Sequence, residues 1–283
     1  NLFSNKFYLK NPKLLKDVLR YKTNFKNLSK LRNYAKKNKI DFGTAVFDKK
    51  QLLEALEIKC DFIKIASMDI NNSYLLNLVS KIKTPLIVST GTATEKEIKK
   101  AANIFHTNKK KDVIFLHCIS LYPPKSLKFL NLNNINLLKK ITKFESGYSD
   151  HSTLPEVPLI AASLGSKVIE KHFTLNKKMT GWDHAISADP KEMKKLVLST
   201  KLCKKILGKF NRSLSNEEKK SSKIMRRGIY ANKEIKKGDK FNNENIILQR
   251  PETKLNANFY SKIIGKKSKN KILANVEIKT KDF

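Results

Sequence analysis

A short apolar run followed by a longer amphipathic stretch recurs six times between residues 40 and 207, and nothing else in the chain constrains its fold as strongly. The apolar runs lie at 40–44, 62–66, 86–89, 113–117, 144–148 and 167–170; the amphipathic stretches begin near Asp48, Asn72, Thr94, Asn131 and Leu154, and a last one covers 190–207. Strand-length runs alternating with helical periodicity predict βα units. Units of that kind, joined by right-handed crossovers, build a parallel sheet covered by helices. The expected fold class is therefore α/β, a (β/α)8 TIM barrel. Six units are visible where a closed barrel has eight, and the first two strands are expected to precede Asn1.

Outside that region the pattern changes. Residues 1–24 are rich in Lys and Asn without a clear period, whereas 25–37 show helical spacing through Leu28, Leu31 and Tyr34. Beyond residue 208 the alternation stops. Residues 209–223 read as a charged linker, and 224–283 as a separate small β-rich domain. Its runs at 228–231, 246–248 and 272–274 are broken by turn signals such as Lys236-Lys237-Gly238-Asp239.

The net charge of +34 raises a nucleic-acid reading, since phosphate neutralisation drives such binding. The distribution argues against it. Only six of the 59 basic residues are arginines (Arg20, Arg32, Arg212, Arg226, Arg227, Arg250), and the lysines are spread along the whole chain. Nucleic-acid proteins concentrate charge on one element, with Arg and aromatics to read bases. A field of this sign still steers an anionic substrate inward. No apolar run approaches the roughly 18–20 residues of a membrane helix, and no signal-like segment opens the chain, so the expected location is the cytoplasm with no membrane partner. Cys60, Cys118 and Cys203 are unclustered, as reduced thiols are.

Polar residues fall where a barrel does its chemistry, at the carboxyl ends of the apolar runs. Thr44 ends the first; Lys64 and Ser67 lie in the second; Ser89 and Thr90 end the third; His117 the fourth; Ser149, Asp150 and His151 the fifth; Glu170 and His172 the sixth. His151 and His172, 21 residues apart on consecutive parallel units, are predicted side by side. Each residue also has a plainer reading. Lys64, between Ile63 and Ile65, either snorkels or binds an anion, a phosphate or a carboxylate. Ser67, Ser89 and Thr90 are either helix caps or phosphate donors, roles that overlap at a helix N-terminus. His117 is either a core group or a site residue. Glu170 is either a partner orienting a ligand or an ion-pair partner of Lys64. Two neutral imidazoles beside Asp150 and Glu170 make an open divalent-metal site suited to Lewis-acid catalysis, unless they are structural.

At these residues the chain resembles the sialic acid synthase family, the N-acetylneuraminate and related nonulosonic acid synthases. The matching stretches are FIKIASMDI, PLIVSTGTATEKEI, FLHCISLYPP, GYSDHS, VIEKHFTLNKKMTGWDH, RRGIYANKEIKKGD and LQRPE, in family order. STGTAT, GYSDH and EKHFTL in this sequence are together highly specific. The resemblance implies a (β/α)8 barrel followed by a small antifreeze-like (SAF, β-clip) domain. It implies metal-dependent condensation of phosphoenolpyruvate with an N-acetylated aldose such as N-acetylmannosamine, giving a nine-carbon 2-keto sugar acid and phosphate. Legionaminic, pseudaminic and spore-coat relatives use other sugars, and an inactive truncated scaffold binding polyanions is a further alternative.

By residue, the resemblance implies that His151 and His172 hold Mn²⁺, or Mg²⁺ or Co²⁺. Thr44, Lys64, Ser67, Ser89 and Ser149 match phosphoenolpyruvate positions. Glu170 matches an acidic residue on the sugar side, with Asp183 and Tyr122 as further sugar contacts. Arg250 matches an arginine that reaches the other subunit's site in a domain-exchanged homodimer. The chain departs from the family's pattern in four places. The family's first two strands, which carry a glutamate and a lysine of the site, are not in this sequence. Gly181-Trp182-Asp183 stands for Gly-Pro-Asp, Glu252 follows Arg250-Pro251 in place of Gly, and Ser120 stands where some members have Asn.

Overall fold

The computed structural model describes residues 5–21 and 23–283. They form two compact units, the first ending at Gly208 and the second beginning at Lys209. The first opens with three helices, α1 (Asn5–Lys10), α2 (Pro12–Tyr21) and α3 (Phe25–Lys37). Residues 5–21 thus differ from the patternless segment expected of them. Pro12 occupies the first helical position, where its missing N–H costs nothing. Leu14, Leu15 and Val18 then lie half-buried on one face. Residues 1–4 and 22, which belong to the same expectation, lie outside the described residues.

Six βα units follow: β1 (Gly43–Ala45), α4 (Lys49–Glu57), β2 (Phe62–Ile65), α5 (Ser73–Ser80), β3 (Leu86–Ser89), α6 (Glu95–Thr107), β4 (Val113–Cys118), α7 (Asn134–Thr142), β5 (Glu145–Asp150), α8 (Glu156–Ser163), β6 (Ile169–Lys171) and α9 (Pro190–Leu207). Helix starts sit where capping chemistry puts them. Asn24, Asp48 and Asn72 each accept a backbone N–H from three residues on, at 2.9, 2.8 and 3.1 Å. Thr94 with Glu97, and Asp189 with Glu192, form reciprocal capping boxes.

All six strands are parallel and neighbour one another in chain order, with β1 and β6 at the edges of the sheet. The sheet curls. Lys64 on β2 and Glu170 on β6 approach to 3.2 Å although three strands separate them. In a flat sheet, four spacings of about 4.8 Å would hold those strands about 19 Å apart. The strands therefore form an arc of barrel wall with Lys64 and Glu170 meeting across its concave face.

The convex face carries the main core. Ile63, Ile65, Val88 and Phe115 on the strands pack against Leu52, Leu75, Leu76 and Phe105 of the helices, all nearly inaccessible to solvent. Phe105, Phe115 and Phe144 meet edge-on or tilted, with centroids 5.8–6.3 Å apart. Behind the amino end of β3, the Lys110 ammonium donates to the carbonyls of Ile82, Lys83 and Thr84 at 3.0, 3.1 and 2.8 Å. Burial lowers its pKa, but three acceptors satisfy its three donors.

The second unit has its own core of Ile229, Ala231, Ile235, Phe241, Ile246, Leu255, Ile263, Ile272 and Ile278. The stretch expected as a linker contains most of a helix, α10 (Asn216–Met225), started by a Ser215–Glu218 capping box. β7 (Gly228–Ala231) and β8 (Ile246–Gln249) pair antiparallel, and α11 (Tyr260–Ile263) follows. The third expected run is reduced to a single bridge, Ile235 to Ile272. The turn at 236–239 forms as its residues require, with Asp239 accepting from the Lys236 N–H at 2.8 Å and Gly238 at φ +91°.

Candidate active site

Alternation and register sort the strand residues onto two faces. Registered neighbours in a parallel sheet share a face, and residues two apart in a strand do as well. Lys64 registers with Ile87, Ser89 with Leu116, Cys118 with Ser149 and Ser149 with Glu170. Lys64, Ser89, Cys118, Ser149 and Glu170 therefore share the concave face, and their side chains are linked. Lys64 donates to the Ser89 hydroxyl at 2.7 Å and pairs with one oxygen of Glu170 at 3.2 Å. The other Glu170 oxygen accepts from the Ser149 hydroxyl at 2.6 Å. Ser89 and Ser149 are buried, while the Glu170 side chain keeps about 40% of its surface exposed. Lys64 thus has the anionic partner that a lysine between two buried isoleucines requires.

Above this network, two residues beyond Ser149 and Glu170, stand the two histidines. Their ring centroids are 5.3 Å apart, and Tyr122 lies against both, 4.1 Å from the His151 ring and 5.8 Å from that of His172. His151 Nδ1 is 2.7 Å from the Ile119 carbonyl. That contact makes Nδ1 the protonated nitrogen and Nε2 the one that carries the lone pair. His172 Nδ1 is 3.7 Å from the Asp183 carboxylate. Burial would lower the pKa of His151, but contacts with the Cys118 thiol and the Ile119 carbonyl outweigh it and raise it; burial lowers that of His172, against the pull of Asp183. Burial, with Cys118, Asp183 and Glu170 nearby, pushes the Tyr122 phenol up to about 12. Ser149, Glu170 and His172 line an open depression of about 260 Å³.

Asp183 is held by a closed excursion of the chain after β6. Ala188 N–H donates to the His172 carbonyl at 2.8 Å, and Thr174 N–H to the Ala188 carbonyl at 3.0 Å. Thr174 Oγ1 and His184 Nδ1 are 2.7 Å apart, and Ser187 Oγ donates to the Asp183 carbonyl at 2.7 Å. The base of the loop is fixed while Trp182, at its tip, stays half exposed.

Ser67 accepts from the Gly91 N–H at 3.0 Å and lies 3.8 Å from the Cys118 sulfur. A Cβ on Gly91 would stand 2.2 Å from Ser120 Oγ and 2.8 Å from Ser67 Oγ, so this close approach requires glycine. Thr44 is placed apart. It registers with Ile63, on the opposite face from Lys64, and its hydroxyl lies 3.4 Å from the Ala45 carbonyl. His117 takes the core reading: Nε2 meets the Leu130 carbonyl at 2.7 Å, and burial lowers its pKa. Arg250 is exposed on the second unit, at the end of β8.

Sequence reasoning missed Cys118 as a site residue and took it for a core thiol. It is buried, but its sulfur faces Ser67 and His151; burial pushes it up, and contacts with His151, Ser67 and Ser149 more than offset that and leave it lowered. It also set Asp150 beside the two imidazoles, whereas the structure turns Asp150 to the convex face, where Lys171 meets it at 2.8 Å. The only signal in the sequence for that pair was that Asp150 and Lys171 each directly precede one of the two histidines.

Two imidazoles are fewer donors than a closed structural site uses. Among the described residues no group of three or more His, Cys, Asp or Glu is arranged to hold a metal ion. The pair fits an open site only, with the remaining positions left to water and substrate. Among the described residues no helix is long and apolar enough to cross a membrane.

Comparison with known proteins agrees with this architecture. The NeuB family model matches residues 4–212 and the SAF domain model residues 226–283. Pseudaminic acid synthase of Campylobacter jejuni subsp. jejuni is 39% identical over 220 residues, 78% of this chain and 64% of that protein. N,N'-diacetyllegionaminic acid synthase of the same subspecies is 36% identical over 235 residues, 82% of this chain and 70% of that protein. The chain thus spans about two thirds of the length of these curated relatives. N-acetylneuraminic acid (sialic acid) synthetase from Leptospira borgpetersenii serovar Hardjo-bovis superposes with a TM-score of 0.71 at 36% identity, covering 76% of this chain and 75% of that one. A curled, all-parallel βα sheet with this strand-end constellation, followed by a SAF domain, belongs to the NeuB family of nonulosonic acid synthases.

Proposed function

We propose that this protein condenses phosphoenolpyruvate with an N-acetylated aldose, releasing phosphate and forming a nine-carbon 2-keto sugar acid. The observation that carries the reading is the linked set Ser89–Lys64–Glu170–Ser149 lying directly beneath the His151–His172 pair. Lys64, with the hydroxyls of Ser89, Ser67 and Ser149, supplies one ammonium and several donors for the phosphate and carboxylate of phosphoenolpyruvate. Carbon 3 of that substrate attacks the aldehyde carbon, water adds at carbon 2, and the bond from carbon 2 to the phosphate oxygen breaks. Glu170 borders both halves and is the group placed to accept the proton of the attacking water, while Asp183 and Tyr122 contact the sugar. His151 and His172 would hold Mn²⁺, or Mg²⁺ or Co²⁺, which when bound supplies Lewis-acid polarisation of the sugar carbonyl.

The sugar is either N-acetylmannosamine-like or the acceptor used for pseudaminic or legionaminic acid. The second choice is favoured by the relatives at 39% and 36% identity. The working assembly is a homodimer, with Arg250 of each chain completing the other chain's sugar site, and the reaction belongs in the cytoplasm.

The test is phosphate release from phosphoenolpyruvate with Mn²⁺ and a panel of N-acetylated and diacetamido hexoses. Sugar-dependent release that a chelator removes is expected, and the best sugar names the product. Absence of release with every sugar, at any metal concentration, overturns the reading.

A further inference from the structure

The two histidines are presented on one face of the sheet, and the residue before each is turned to the other face. There Asp150 and Lys171, a registered pair on β5 and β6, form an ion pair at 2.8 Å with side chains 0% and 9% exposed. The contacts go further than the pair. The second Asp150 oxygen accepts the Ser152 N–H at 2.9 Å, and the Lys171 ammonium also donates to the Ser152 carbonyl. The residues on both sides of His151 are thereby tied to the residue that precedes His172. Register alone fixes the strands at Asp150 and Lys171, where the ladder ends. Beyond that point nothing in the ladder holds the backbone of His151 at a set distance from His172, and the three contacts of this pair do.

We infer that Asp150 and Lys171 are positioning residues, a buried clamp on the convex face that sets the spacing of the His151 and His172 rings on the concave face. A surface pair of the same charges would be worth little. A buried one fixes geometry because breaking it strands a charge. Its consequence for metal affinity rests on the reading of the two histidines as metal ligands; its consequence for ring spacing does not.

The clamp is tested with Asp150→Asn/Lys171→Met, which removes both charges and leaves neither buried ion alone. Lys171 lines a cavity of about 280 Å³ with Leu159, Ile186 and Leu196, which leaves room for the methionine side chain. Lys171→Arg, which keeps the charge and changes the reach of the donor, is the second variant should the first not fold. The protein has five histidines, so selective ¹³C labelling of imidazoles resolves them. In the metal-free wild type an inter-ring nuclear Overhauser contact between His151 and His172 is expected at their 5.3 Å centroid separation. It should vanish in the double variant and weaken in Lys171→Arg, with melting temperatures near that of the wild type. An unchanged inter-ring contact in a folded variant overturns the clamp. Mn²⁺ titration of the same samples should show at least a tenfold weaker Kd in the double variant, and His151→Ala is the reference. Unchanged Mn²⁺ affinity in His151→Ala sinks the metal reading alone, since the inter-ring contact still reports on the clamp.

Discussion

Glu170 holds Lys64 at 3.2 Å across the concave face, and the same carboxylate takes the Ser149 hydroxyl at 2.6 Å. The ammonium is thus charge-compensated before any substrate arrives. On the proposed reading, an incoming phosphate would compete with that carboxylate for Lys64, and a displaced Glu170 would be free to face water or sugar. Anion binding is thereby proposed for one residue and chemistry for the other, so their variants should fail differently.

Lys64→Met should raise the KM for phosphoenolpyruvate about 10–100-fold, the worth of a hydrogen bond to a charged group, with a smaller change in kcat. Glu170→Gln, whose amide oxygen can still accept from Lys64 while its NH2 donates to the Ser149 oxygen, cannot take a proton; it should lower kcat and leave the KM for phosphoenolpyruvate within a few-fold. Steady-state kinetics with each substrate varied checks both. The opposite partition, with Lys64→Met acting only on kcat, would reverse the assigned roles.

Gly91→Ala places a methyl group 2.2 Å from Ser120 Oγ and 2.8 Å from Ser67 Oγ. Both are ends of small side chains that can rotate, so the protein should fold with a melting temperature within a few degrees of the wild type. The cost should fall on the site, because Ser67 loses its 3.0 Å bond from the Gly91 N–H. A several-fold rise in the KM for phosphoenolpyruvate is expected, partly reversed by adding Ser120→Ala. Failure of that second change to restore any binding would show that Ser120 is not the obstacle.

These two sites mark how far the sequence could be read. The βα alternation was clearest on β2, β3 and β4, whose convex faces are apolar with period two: Ile63 and Ile65, Leu86 and Val88, Val113 and Phe115. It ended the fifth run at residue 148 and the sixth at 170, yet β5 reaches Asp150 and β6 reaches Lys171. Hydrophobic periodicity stops at a polar residue, and what carries the strands onward is a partner on the next strand, which a single sequence does not display. The same reason hid the Lys171 contacts and the placement of Cys118 beside Ser67 and His151. Capping was legible at Asp48, Asn72 and Thr94 but not at α7 or α8, whose first turns carry no side-chain cap, and the Ser215-x-x-Glu218 signature of α10 stood in plain view within the stretch expected as a linker. The facing of Thr44 is set by its register with Ile63 and was not legible, because β1 is only three residues long and shows no alternation.

His117 provides a pH test on the convex side. Burial lowers its pKa below the usual 6.5, outweighing its bond to the Leu130 carbonyl. The unfolded chain then binds this proton more readily than the folded one. Its contribution to stability is complete above about pH 6.5 and is lost as pH falls toward the folded value. His117→Gln removes the titration and keeps a donor for Leu130. Between pH 7.5 and 5, the wild type should therefore lose more stability than the variant, read as urea midpoints. Equal losses in the two proteins would contradict the assignment.

The proposed sharing of Arg250 between subunits can be decided by mixing two defective proteins. His151→Ala should abolish turnover, and Arg250→Ala should raise the sugar KM, leaving little activity at low sugar. If Arg250 serves the other subunit's site, a mixed dimer contains one site with both lesions and one site with neither. Random reassociation makes about half the dimers mixed, so about a quarter of all sites regain both groups. Co-refolded or co-expressed variants should then recover about a quarter of wild-type activity at low sugar, with a wild-type sugar KM for that fraction. If Arg250 instead serves its own chain, every site in the mixed dimer carries one lesion and no recovery follows. Recovery that requires high sugar would place the arginine on its own subunit, and would remove the exchanged arrangement from the proposal while leaving the chemistry at Lys64 and Glu170 untouched.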